Sequence, residues 1–423
     1  MAGILDSTAM VGVLKIRYSP RKVETLGYKN NPFMALVRKT TDFTGKNRQI
    51  AVRYGTTAGA SSVFSNAMSN TSADKYASWN VTRWFYYTFA TITDEMFYAA
   101  KGSEGTMAEG LSNLIDGCIY KASRAIAIQM YRNGGGSIGR VSAGSTVGST
   151  AITLTTIQDI TNFEVGDVLQ AAADDGVSAS AGVRSGTVTV TKVDRGNGIL
   201  TTTGNWNAVG NIPGIATSDW LFRQGDYQNV MKGALGNGAA ATANTNGGGW
   251  IQDLSSSTSD SFYGFDRTVD TRLSGVIYNG NGAPYEESLI EALARLTREG
   301  AKPTHAFVNP LNFSTLLKAL SGKLHYTNVD QKSKAGISFK GVEVHCSEGP
   351  VAIVPDVNCP FGQSLVTQLD TWAYESLGKA PRILDGDGNM LLRDPTSDSY
   401  SLRVGVKGAL TNWAPNYSCN LTW

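Results

Sequence analysis

Few residues in this 423-residue chain are spaced for chemistry. Gly135-Gly136-Ser137-Ile138-Gly139 matches the pattern that holds a serine nucleophile on a sharp turn. Such a turn must follow a strand and open a helix. Here the upstream periodicity is helical and the downstream run is β-prone, so Ser137 reads as part of a helix-ending glycine loop. Asp385, Asp387 and Asn389 begin like a calcium loop, but Met390 replaces the turn glycine and Thr396 the bidentate glutamate. A hairpin turn is the simpler reading. His305, His325 and His345 stand in unlike contexts, and Cys346 beside His345 is a neighbour in sequence only, which does not set a base against a thiol. No phosphate-binding Gly-Lys-Ser/Thr loop and no dinucleotide fingerprint is present. The expectation is a protein that is not an enzyme, with no catalytic residue, metal ligand or cofactor site.

The elements around these residues are organised by one stretch, Thr106 to Arg132. Met107, Leu111, Leu114, Ile115, Cys118, Ile119, Ala122, Ala125 and Ile126 recur at steps of three and four, one stripe along a helix of about seven turns. Thr106 and Glu109 form a capping-box pair, and Asn133 with the following glycines stops the helix. Gly110 and Gly117 lie on the flank of the stripe, where another segment can cross closely. Burial of the stripe outweighs roughly 1 kcal/mol of lost helix propensity at each glycine. Leu114 and Ile115 are expected in a core.

Composition sets the partners. Net charge is +2 and only 17% of residues are charged, with 47 glycines, which suits a β-rich chain burying much surface against other chains. Residues 1–53 carry ten Lys/Arg against three acids, a net +7, so the remainder carries −5. Such an arm either faces nucleic acid by counterion release or is solvated or paired with acids on a neighbouring subunit. Cys118, Cys346, Cys359 and Cys419 contain no close pair, which fits a reducing cytoplasm. No run of eighteen apolar residues exists, and Asp6 interrupts the place where a signal peptide needs its apolar core, so a soluble, non-membrane protein is expected.

Taken in order, residues 1–42 read as an extended arm. Ile50, Val52 and Tyr54, then a small-residue tip from Gly55 to Ser72, then Trp79, Val81, Phe85, Tyr87 and Phe89 read as one long hairpin too exposed to stand alone. Short β-prone runs at 151–156, 165–171, 186–193, 198–203 and 220–223 suggest an inserted small barrel or sandwich over 138–227. A Gly/Ala/Asn/Thr linker follows at 233–249. The last third is mixed α/β. One helix carries Leu289, Ile290, Leu293 and Leu296, and a second is capped by Asn309 and carries Phe313, Leu316, Leu317 and Leu320. Strands are expected at 305–308, 337–339, 342–344 and 351–354, with a late hairpin at 382–393 and a final alternating strand through Tyr400, Leu402, Val404 and Val406.

This order of parts resembles the major capsid proteins of tailed double-stranded-DNA phages, whose shared fold is called the Hong Kong 97-type. The local matches are Asn31-Pro32-Phe33, Asp116 with the Ala-rich end of the long helix, Asp266-Arg267-Thr268, Arg272-Leu273-Ser274-Gly275, Phe307-Val308-Asn309-Pro310, and Asp398 with Tyr400. The resemblance covers nearly the whole chain except 138–227, which the minimal fold lacks. It implies an α+β capsid fold with a spine helix, an extended β-hairpin and an inserted all-β domain. The divisions are an N-terminal arm (1–42), a hairpin or E-loop (43–78), a P-domain with the spine (79–137), the insert (138–227), a linker (228–267), an A-domain (268–369) and a return to the P-domain (370–423). It further implies hexamers and pentamers in an icosahedral virion shell, portal and scaffolding partners, a decoration protein in some members, non-specific contact with packaged double-stranded DNA, and assembly in the host bacterial cytoplasm. The alternatives are an encapsulin-like compartment shell and, less economically, a serine hydrolase using Ser137.

Overall fold

The computed structural model describes residues 31–43, 45–95, 106–177, 182–236, 248–254, 259–320, 342–384 and 391–423, without the side chains of 106–113 and 320. The basic arm through residue 30, most of the linker, the strand expected at 337–339 and the turn containing Asp385, Asp387 and Asn389 lie outside the described residues. So does the side-chain pairing of Thr106 with Glu109.

The spine helix runs Thr106–Gln129. Its amide ladder extends to Met130, whose N–H reaches the Ile126 carbonyl at 2.9 Å, and the chain then turns away at Gly134, where φ is +85°. Burial grows along it. Leu114, Ile115 and Ile119 are half-buried against the core rather than inside it, whereas every residue from Arg124 to Tyr131 is buried. A helix end buried all round belongs to a core shared by several layers. Gly117 meets nothing within 4 Å of the space a Cβ would fill. The close crossing expected there is not made by any of the described residues.

A six-stranded sheet lies against the spine. Its longest strand, Ser399–Asn412, pairs with Trp372–Ser376, Arg382–Ile383, Leu391–Arg393 and Trp84–Thr93. The Thr88 hydroxyl donates to the Cys118 carbonyl at 3.1 Å, tying strand to helix. The hairpin is Asn47–Gly55 paired with Lys75–Thr82 alone. The aromatic run read as its second strand breaks at Arg83. Ala77, Trp79 and Val81 point inward, then Trp84 does, so the inward phase slips by one residue. Phe85, Tyr87 and Phe89 are thereby turned outward in a different sheet.

The insert has its own core around Ile138, Phe163, Leu169, Val188, Leu200, Trp206 and Leu221. Its six antiparallel strands end on Ser137–Arg140 and Ala151–Thr153, and a bridge from Val141 to Leu154 joins those edges into a closed barrel. Closure removes the unpaired edges that such short strands would otherwise expose. Ser137–Arg140 is a strand the sequence reading missed.

The third sheet runs in the order Val276–Asn279, Ser418–Thr422, Gln363–Thr367, His305–Val308, Gly349–Pro355, Val342–Cys346. Helix Tyr285–Arg298 buries Leu289, Leu293 and Leu296 on it, but Ile290 is 59% exposed and is not a core residue.

These bodies meet at Phe33. Its ring lies 5.1 Å from that of Tyr131 at the spine's end, 4.9 Å from Phe307 in the third sheet and 6.0 Å from Trp372 in the first. Its amide and the Tyr131 hydroxyl both donate to Asp356 Oδ2, at 3.2 and 2.9 Å. Phe33→Ala, which empties this junction, should cost about 3–5 kcal/mol in guanidinium unfolding. A loss below about 1 kcal/mol would mean that the three bodies hold together without it.

Candidate functional site

Ser137 is buried as the first residue of a barrel strand that follows a helix and a loop. Of the histidines, His325 lies outside the described residues. His305 and His345 sit on strands separated by Gly349–Pro355. His305 hydrogen-bonds the Thr304 hydroxyl at 2.9 Å, and burial lowers its pKa. Cys346 donates to the Gly349 carbonyl at 3.2 Å. Among the described residues no three His, Cys, Asp or Glu side chains are gathered as metal ligands, and no helix is long and apolar enough to cross a membrane.

What the fold does position is a lever and two uncovered apolar surfaces. The hairpin base is anchored by Trp79, whose ring lies 5.6 Å from Trp250, itself 4.9 Å from Phe262. Beneath these rings Arg267 and Asp260 form a fully buried ion pair at 2.5 Å. The guanidinium also donates to the Gly249 and Trp250 carbonyls at 3.1 and 2.9 Å and lies 3.9 Å from the Phe262 ring centroid. Asp266 Oδ1 caps the turn after it through the Thr268 amide, and Arg272 reaches the Tyr54 carbonyl of the hairpin at 3.0 Å. Two of the quoted sequence motifs thus hold the foot of the arm.

The far end of the arm is different. Its short helix Phe64–Ser69 has no buried residue, and Phe64 is 83% exposed. On the first sheet, Phe85, Tyr87 and Phe89 form a second outward row, Tyr87 58% exposed, facing Lys407, Gly405 and Arg403 across the pair. Lys407 and Arg403 lie over Phe85 and Phe89 at 5.9 and 5.8 Å. This geometry can bind protein or another extended surface.

The barrel joins the first sheet through a charged cluster that sequence reasoning missed. Arg223 lies 3.8 Å from Asp167 and acts electrostatically on Tyr86 and Asp226. Burial pushes the Asp226 carboxyl up to about 6, opposed by Arg223 and reinforced by Asp167. Its Oδ2 has no hydrogen-bond partner. The signal available in sequence was only a Gly-Asp turn after a strand.

The sequence matches no protein-family model and none of the curated proteins. Among solved structures the chain is similar to the Cyanophage A-1(L) capsid asymmetric unit, with a TM-score of 0.52, 11% identity, and 98% of this chain and 99% of that one covered. It is also similar to the capsid of a native GTA particle (TM-score 0.46, 8% identity, 99% of each chain). A third similarity is to the holo-SrpI encapsulin complex from Synechococcus elongatus (TM-score 0.42, 10% identity, 99% and 95%). The first of these defines the class: the chain has the Hong Kong 97-type capsid fold, an α+β architecture, along essentially its whole length.

Because the folded pKa of Asp226 lies above its unfolded value of 3.8, the folded state holds a proton that the unfolded state releases between pH 3.8 and about 6. Stability from this group is therefore present below that window and lost as pH rises through it. Asp226→Asn should remove the dependence. Relative to the variant, the parent should lose about 2 kcal/mol between the two ends of the window in denaturant titrations. Parallel pH profiles would refute the assignment.

Proposed function

We propose that this protein is the major capsid protein of a tailed double-stranded-DNA phage, assembling as hexamers and pentamers into the icosahedral head. The observation that carries the reading is the hairpin. A chain with this fold holds the arm's foot rigidly while leaving its tip helix without a single buried side chain. Apolar surface presented on a rigid lever finds its cover on another copy, and repeated head-to-tail contacts close into rings and shells. The low charge fraction suits subunits whose interfaces are large.

The same reading assigns 1–42 to the arm, 43–78 to the E-loop, 79–137 and 370–423 to the P-domain, 138–227 to the insert, 228–267 to the linker and 268–369 to the A-domain. The net +7 of residues 1–53 supports non-specific contact with packaged DNA. Portal and scaffolding proteins are the partners it entails, with a decoration protein as in some members of that family, assembly in the host cytoplasm and residence in the virion. No turnover is assigned.

Electron micrographs of the expressed protein should show closed particles, and particles from producing cells should hold nuclease-protected double-stranded DNA. Closed shells that hold a protein cargo and no DNA would make it a compartment shell instead. A protein that stays monomeric at every concentration and salt tested, scaffold and portal included, would end the shell reading. Deleting 58–70 should abolish or misdirect assembly while leaving the subunit's thermal melt and circular dichroism intact. Normal particles from that variant would remove the tip from the interface.

A further inference from the structure

Six asparagines in the sequence are followed directly by glycine, and Asn133, Asn197, Asn279 and Asn281 lie among the described residues. Such a pair carries latent chemistry. The glycine's backbone nitrogen can attack the asparagine Cγ, because the glycine has no Cβ to hinder the approach. A C–N bond forms, ammonia leaves, and water opens the resulting succinimide ring. Opening at one carbonyl gives aspartate; opening at the other gives isoaspartate, whose main chain runs through Cβ. The fold decides which pairs react. Attack needs a carboxamide free to swing round and a glycine amide free of other bonds.

Three of the pairs are held. Asn133 is buried, with Oδ1 accepting from the Gly135 amide at 3.0 Å and Nδ2 donating to Asp175 at 2.8 Å. Asn197 is fastened to Asp194 through Nδ2 at 2.9 Å, and Gly198 is buried, with Ile157 3.0 Å from where a Cβ would stand. Asn279 uses Oδ1 on the Asn281 amide at 2.9 Å. The Gly280 amide, which would have to attack it, donates to the Thr422 carbonyl at 2.7 Å. A Cβ at Gly280 would run into Ser288 Oγ, so that backbone has no room to turn.

Asn281 differs on every count. It and Gly282 are exposed on the loop from strand Val276–Asn279 to helix Tyr285–Arg298. Neither the Asn281 side chain nor the Gly282 amide is hydrogen-bonded to a described residue, and nothing lies within 4 Å of the place a Gly282 Cβ would take. The loop is tied through the Asn281 amide and by the Ala283 amide donating to the Gly280 carbonyl at 2.9 Å. Neither bond uses an atom that reacts.

We propose that Asn281 is a site of spontaneous modification, converting to isoaspartate and aspartate ahead of the three held pairs. The proposal rests on the loop's geometry and not on the capsid reading. The product carries a negative charge that Asn281 lacks, close before the helix whose first turn already holds Glu286 and Glu287. In the isoaspartate form a methylene is also added to the main chain between the outer strand of the third sheet and the helix packed on that sheet.

The test is incubation of the full-length protein at mildly alkaline pH, native or in urea. Digestion in heavy-oxygen water marks any conversion that happens during digestion, and fragment-ion mass spectrometry follows each Asn-Gly pair separately. In urea all four pairs should convert at similar rates. In the native protein Asn281 should keep its unfolded rate to within about twofold, while the other three slow by at least about tenfold, the factor of an opening free energy of about 1.4 kcal/mol. Isoaspartyl methyltransferase should label the native protein's peptide containing Asn279 and Asn281, and Asn281→Gln should remove that label. A native Asn281 rate no faster than that of Asn279, or a label that survives in Asn281→Gln, overturns the assignment.

Discussion

The carboxylate of Asp356 is buried with no ion-pair partner among the described residues, and four donors converge on it. The Phe33 amide and Tyr131 hydroxyl take Oδ2; the Asn358 amide and side-chain nitrogen take Oδ1 at 2.9 and 2.8 Å. That fills the acceptor capacity of a carboxylate. Burial raises its pKa while the hydrogen bonds oppose the rise. Around it Asn358 accepts from Arg124 of the spine and donates to Asn31, and Asn309 donates to the Cys359 carbonyl at 3.0 Å. Segments near residues 31, 124–131, 309 and 356–359 are thereby held to one point. Apolar packing is non-directional, so sliding the third sheet over the spine would change its area little. It would break the bonds that Phe33 and Tyr131 donate to Asp356 and those joining Asn358 to Arg124 and Asn31, and these set the angle between the bodies.

From that junction the rigidity passes outward to the arm. Trp79, Trp250 and Phe262 stack in edge-to-face pairs above the Arg267–Asp260 pair, and a buried ion pair is dear to desolvate unless its remaining donors are used. Arg267 uses Nη1 on the Gly249 and Trp250 carbonyls, while its Nη2 and Asp260 Oδ1 have no hydrogen-bond partner among the described residues. Removing either partner would strand the other, so the pair acts as a specificity device for the hairpin's foot. The arm's direction is built in at its base, while its tip holds itself in shape through local turns such as Asp74 accepting from the Thr57 amide.

Much of this was legible because it is local. The spine's stripe, the barrel strands between their turn signals and the Asn309 cap depend on near neighbours, and each stands close to its expected place. The motifs Asn31-Pro32-Phe33 and Phe307-Val308-Asn309-Pro310, whose pairing the sequence did not suggest, turn out to meet at Phe33 and Phe307. What stayed hidden depends on distant partners. Phe85, Tyr87 and Phe89 alternate as a buried strand should, and only the slip at Arg83 sends them outward. Ile290, one position past the buried Leu289, turns off the covered face of its helix and is 59% exposed. Ser418–Thr422 carries Ser, Asn and Thr yet lies inside a sheet, where Ser418 shares a 2.7 Å bond with Thr367. Asp356 gave no signal beyond an Asp-x-Asn turn after a strand, because its meaning is set by residues 225 and 323 positions away.

The outward row on Trp84–Thr93 is partly covered from within the chain. Three large rings on an open sheet face would invite indiscriminate contact. Lys407 and Arg403 lie across two of them at cation–π distance, so their stems cover carbon while their charges stay in water. The cover is held by interactions of about 0.5–1 kcal/mol each at an exposed site. A well-fitting partner surface displaces it easily, whereas a casual collision must strip two charged side chains first. The tip helix Phe64–Ser69, by contrast, has no such cation over its exposed Phe64 among the described residues, and it stands at the far end of the hairpin.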